Sequence, residues 1–78
     1  MQNEIEQQAI ELERRLHKTA LQALDIGANL VAIAALETAD ALPMYGAADG
    51  LTTNRRVLML MEEGEREEAV AMLRAMWD

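Results

Sequence analysis

A helical pattern of apolar residues runs through the first half of this chain and widens as it goes. It begins as one narrow seam, Ile5, Ala9, Leu12 and Leu16, and between Ala20 and Leu36 only Gln22, Asp25 and Asn29 remain clearly polar. Leu30 through Leu36 has no polar side chain at all. A helix that is apolar nearly all round must be covered on several sides. A chain of 78 residues has little else to cover it with. The pattern therefore points to a partner, either a second copy or another protein.

Size sharpens that expectation. One domain of this length buries only about 60 % of its unfolded surface, and its core often supplies no more than roughly 3–5 kcal/mol. Disulfides, a metal or oligomerisation commonly make up the difference. The chain has no cysteine, which removes disulfides and thiolate metal sites. Its single histidine, His17, removes any multi-histidine site. Oligomerisation or very close helix packing remains, and no cofactor is expected. Absence of cysteine fits a reducing compartment, and a cytoplasmic location is the expectation.

Fourteen acidic side chains against seven basic ones give a net charge of −7. That balance opposes general nucleic-acid binding, which needs cations to neutralise phosphates. It also opposes attraction to anionic membrane surfaces. A basic partner, or simple solubility, fits better. The opening residues, Met1-Gln2-Asn3-Glu4, have neither the basic nor the apolar region of a secretory signal. The apolar run from Ala20 to Leu36 is interrupted and falls short of the roughly 20 residues that span a bilayer. It reads as a buried helix rather than a membrane span.

Ala, Leu, Glu, Met, Gln and Arg dominate, Phe is absent, and Thr and Val are sparse. These are strong helix formers, so the expected fold is all-α. The first helix is expected over residues 3–42, with Asn3 as N-cap and Glu4 and Glu6 against the positive end of its dipole. Its seam, continued through Thr19, Ala23, Ile26, Leu30 and Ile33, has heptad spacing. A second row, Leu21, Leu24, Ala28, Val31 and Ala35, adjoins it. Gly27 inside this pattern signals either close packing against a neighbour or a bend. Pro43 disfavours helical geometry at Leu42. Residues 43–51 form a connection with turn chemistry, and hold the only tyrosine, Tyr45.

A second helix is expected over residues 53–63, capped by Thr52 or Thr53 and stopped by Gly64 in left-handed geometry. A third is expected over residues 65–77, with Ala69, Met72, Leu73, Met76 and Trp77 on one face. Glu65, Glu67 and Glu68 suit its first turn and Arg74 its last. The stretch Met61-Glu62-Glu63-Gly64-Glu65-Arg66-Glu67-Glu68-Ala69 resembles the middle of a tetratricopeptide repeat. In that family a glycine closes the first helix, and an alanine five residues later lies at the helix crossing. Gly64 and Ala69 match that spacing, and the resemblance implies a helical hairpin. It covers less than a third of the chain. The large aromatic early in the first helix and a second repeat are both missing, so it implies the hairpin alone.

Three clusters are candidates for chemistry. Glu13 and His17 stand four apart on one helix face, suited to two metal ligands or to an exposed helix pair. One histidine and no cysteine favour the exposed pair. Arg14, Arg15, His17 and Lys18 form a short basic patch that could grip an acidic partner or pair with Glu11 and Glu13. Arg55 and Arg56 open the second helix, where a helix N-terminus attracts anions. Together the last two helices could pass for a DNA-reading pair, but Glu65, Glu67 and Glu68 lie where such a pair meets the bases. Serine and cysteine are absent, only one lysine is present, and there is no glycine-rich phosphate loop. No catalytic constellation remains.

The sequence therefore predicts a small acidic helical protein, assembled as a homodimer, that binds a larger protein as adaptor, small chaperone or inhibitor. Self-association is expected through Leu12, Leu16, Ala23, Ile26, Leu30 and Ile33. Tyr45, Met59, Met72 and Trp77 are expected to contact the larger partner, within a frame of Glu62, Glu63, Glu67 and Glu68. The alternatives are a dimeric DNA-binding regulator using Arg55 and Arg56, and a purely structural oligomerisation module.

Overall fold

The computed structural model describes residues 2–42 and 52–77, and Tyr45 lies outside them. Among the described residues there are four helices and no strand: α1, Gln2–Asp25; α2, Asn29–Asp40; α3, Thr53–Glu62; and α4, Arg66–Trp77. Each packs on the next, and α4 returns to pack on α1. None of the four is long and apolar enough to cross a membrane.

The single helix expected over residues 3–42 is two helices, α1 and α2. The break is at Gly27, whose φ of 77° lies in the left-handed region. The amide of Gly27 donates to the carbonyl of Leu24 at 3.2 Å, and that of Ala28 to Ala23 at 2.8 Å. This pair of bonds is a Schellman stop, which satisfies the last carbonyls of a helix and needs a residue tolerant of positive φ. A Cβ at Gly27 would meet nothing within 4 Å. Close packing is therefore not the reason for glycine there; backbone geometry is.

Gly64 repeats the device. Its φ is 79°, its amide donates to Met61 at 3.1 Å, and that of Glu65 donates to Leu60 at 2.8 Å. The hairpin implied by Gly64 and Ala69 is present, with Ala69 fully buried where α4 packs. Thr52 caps α3 by accepting the amide of Arg55 at 3.1 Å. By contrast Ala28, at the start of α2, has no side-chain oxygen to offer as a cap. Helix α2 ends at Asp40, with Ala41 as its C-cap, so it stops before Leu42, where Pro43 disfavours helical geometry.

The core is built from small residues. Ala20, Ala23, Ala32, Ala35 and Ala69 surround Leu24, Leu36, Val57 and Leu73. Helices faced with alanine approach closely, so a few large side chains suffice to fill the space between them. Helix α2 turns Ala32, Ala35, Leu36 and Ala39 inward, the i, i+3, i+4, i+7 stripe of a helix buried on one side only. Its other side, including Leu30 and Val31, faces outward.

Candidate functional site

Two places stand out from the rule that apolar residues go inside and polar ones outside. The first is a buried polar clasp. His17 is fully buried, and Glu13 and Asn54 nearly so. The indole Nε1–H of Trp77 donates to Nδ1 of His17 at 2.8 Å. Indole nitrogen is a donor only, so Nδ1 accepts and the imidazole proton sits on Nε2. Nε2 donates to Oδ1 of Asn54. Nδ2 of Asn54 then donates to Oε2 of Glu13 at 3.0 Å. No buried side-chain nitrogen or oxygen among the described residues lacks a partner. One chain of hydrogen bonds thus ties α1, α3 and α4 together. The guanidinium carbon of Arg14 lies 5.8 Å from the centre of the Trp77 ring, a cation–π distance.

The clasp corrects one expectation. Glu13 and His17 are not an exposed helix pair; they are buried because Asn54 and Trp77 satisfy them. Trp77 is half-buried, with its indole donating to His17. Met72 is half-buried and packs against the core. Asn54, absent from the expected site, joins the two sides. Its sequence signal was weak, since an asparagine near a helix start ordinarily reads as part of a cap. Among the described residues no three His, Asp or Glu side chains converge as a metal site.

The second place is an apolar corner where α1 hands over to α2. Ile26 is 79 % exposed and Leu30 81 %, and Val31 is more than half exposed. Leu30 lies three residues before Ile33, so the two share a helix face. Ile33, half-buried, lines an open groove of about 570 Å³ together with Leu24, Leu58, Glu37, Arg55, Glu62 and Arg66. Of the other residues expected to self-associate, Leu12 is exposed, whereas Ala23 is buried in this chain's own core and Leu16 packs on it. Those last two are consumed internally.

Beside the Gly64 turn lies an acidic shoulder. Glu62, Glu63, Glu67 and Glu68 are all exposed, and Met59 stands exposed on α3. Arg55 is otherwise engaged: its Nη2 donates to Oδ2 of Asp40 at 3.1 Å, and Thr52 donates to the other carboxylate oxygen.

No family model, curated protein or solved structure matches this chain. The functional reading rests on the geometry of the clasp, the corner and the shoulder.

Proposed function

We propose that this chain is a non-catalytic protein-interaction module that acts on a larger protein as adaptor, small chaperone or inhibitor. The observation that carries the reading is the exposure of Ile26 and Leu30 beside Val31. Large apolar side chains grouped on a surface mark an interaction site far more than scattered ones do. The acidic shoulder supports the same reading, because it would steer a basic surface of the target toward Met59. The fully satisfied clasp supports a rigid module, because it holds the end of α4 against α1.

The DNA-binding alternative loses support at two points. Arg55 is held by Asp40, and the first turn of α4 presents Glu67 and Glu68, which would oppose phosphate. The absence of cysteine suits a reducing compartment such as the cytoplasm.

The test is capture of the target from the native source, with three baits: the unaltered chain, Glu67→Lys/Glu68→Lys, and Leu30→Glu. One stoichiometric companion should come with the unaltered chain and be lost or weakened with the shoulder variant. A companion held equally by all three baits, or no companion at all, would refute the reading.

A further inference from the structure

We propose that His17 and Trp77 form a latch that opens with acid: proton uptake by His17 releases the last turn of α4 from α1, while Asn54 and Glu13 keep α1 and α3 tied.

Both ends of the hydrogen-bond chain fix its direction. At one end the indole of Trp77 can only donate. At the other, the carboxylate of Glu13 accepts from Nδ2 of Asn54. That leaves Oδ1 of Asn54 as the acceptor for the Nε2–H of His17. The imidazole therefore has one basic site, the Nδ1 lone pair, and the Trp77 N–H occupies it at 2.8 Å. A proton added there sets two N–H groups against each other, and the Trp77 bond is lost. The Nε2–H still donates to Asn54, now with the help of the ring's charge. One proton thus breaks the bond to α4 and strengthens the bond to α3.

Packing makes the release local. Helix α4 is anchored by Ala69 and Leu73, both fully buried. Beyond Leu73, Arg74, Ala75 and Met76 are exposed and Trp77 is half-buried. The indole is what ties this last turn to α1. Openings start where buried apolar contacts are few. Helix α3 is held separately by Val57, which is fully buried. His17 is fully buried as well, so a new N–H on its ring would lack a partner at the cost of an unsatisfied buried donor. Opening the last turn lets water supply that partner.

Among the described residues, few charged groups face the pair. On α1, Glu13 is reached through Asn54, and Arg14 lies over the Trp77 ring; Arg15 and Lys18 are exposed. On α2, Glu37 is exposed and Asp40 is taken up by Thr52 and Arg55. On α3 the facing group is the neutral Asn54, and Arg56 is exposed. On α4, Arg74 is exposed. His17 is the single histidine of the chain, the side-chain type whose charge ordinarily changes between about pH 5 and 8.

Two-dimensional NMR of the full chain from about pH 8 to pH 5 tests this. One titration follows the His17 ring nitrogens, the Trp77 indole N–H and the Asn54 side-chain amide. At the upper end the ring should show Nδ1 as its unprotonated nitrogen. As the ring takes up its proton, the indole resonance should shift toward that of a solvent-exposed tryptophan with the same midpoint. The Asn54 amide should stay protected, and most of the helical circular dichroism should remain. His17→Gln can offer an oxygen to the indole and an N–H to Asn54 but takes up no proton, so its indole should not shift over this range. If that variant does not fold, the titration of the unaltered chain decides alone. The inference is overturned by an indole that stays in place while the ring is protonated, or by a ring that stays neutral throughout. It is equally overturned by a shift that persists in His17→Gln, or by loss of the whole fold in the same step.

Discussion

The clasp and the corner are mirror cases. At the clasp, a glutamate, a histidine and an asparagine lie buried; at the corner, an isoleucine and a leucine stand about four-fifths exposed. Hydropathy alone would exchange them. What decides the first is satisfaction: each polar atom of Glu13, His17 and Asn54 that is removed from water finds a partner, so desolvation is offset. What decides the second is the Schellman stop at Gly27, which turns the chain and leaves Ile26 and Leu30 on the outside of the bend. A polar residue can be inside for local reasons that the structure contains. Large apolar residues grouped outside mark a surface open to contact.

The contrast can be broken most severely at Asn54. Replacing it with leucine keeps the branched outline but not the volume, and leaves the Glu13 carboxylate and the His17 Nε2–H without Asn54 as partner in a buried site. The expected loss is about 3 kcal/mol or more, enough to unfold much of a domain this small. Urea denaturation followed by circular dichroism measures it. A loss below about 1 kcal/mol would mean that Glu13 and His17 do not depend on the bond network. At the corner the opposite is expected. Leu30→Glu should leave the stability of the chain within about 0.5 kcal/mol of the parent, measured by the same denaturation. A large loss there would show that Leu30 is part of this chain's own core.

How legible these two places were in the sequence follows from the helix phase. Of the heptad seam, Ile5, Leu12, Thr19 and Ile26 are exposed, whereas Ala9 and Ala23 are buried and Leu16 packs on the core. The buried line of α1 is Ala9, Glu13, His17, Ala20 and Leu24, rotated by about one residue. Apolar spacing could not find it, because two of its members are polar and become buried only through Asn54 and Trp77, which are distant in sequence. The second row was read better: Leu24 and Ala35 are in the core, although Val31 is exposed. The ends of the later helices were legible from local chemistry, since Thr52 and Gly64 act on their own neighbours. Gly27 has the same chemistry as Gly64. It was masked by the apolar pattern on both sides of it, which reads as one unbroken helix.

That parallel gives a finer test. Gly27→Ala and Gly64→Ala should each cost about 1 kcal/mol, and by similar amounts. Both glycines have positive φ and neither Cβ would touch a neighbour, so only backbone strain is at stake. A much larger loss at Gly27 alone would mean that the corner is packed against something within the monomer. The smallest effect is expected at Arg55. Its ion pair with Asp40 is mostly exposed on the arginine side, and Arg55→Ala should cost less than about 1 kcal/mol. A duplex affinity that vanished with this variant would revive the DNA-binding alternative.

The most direct measurement is two-dimensional NMR with a soluble paramagnetic probe, which observes both places in one sample. The side-chain methyl resonances of Ile26, Leu30 and Val31 should broaden strongly, because these side chains stand in solvent. The indole Nε1–H of Trp77, held by His17, should broaden little. An indole broadened as strongly as the corner methyls, or corner methyls that stay sharp, would contradict the division between a closed clasp and an open corner.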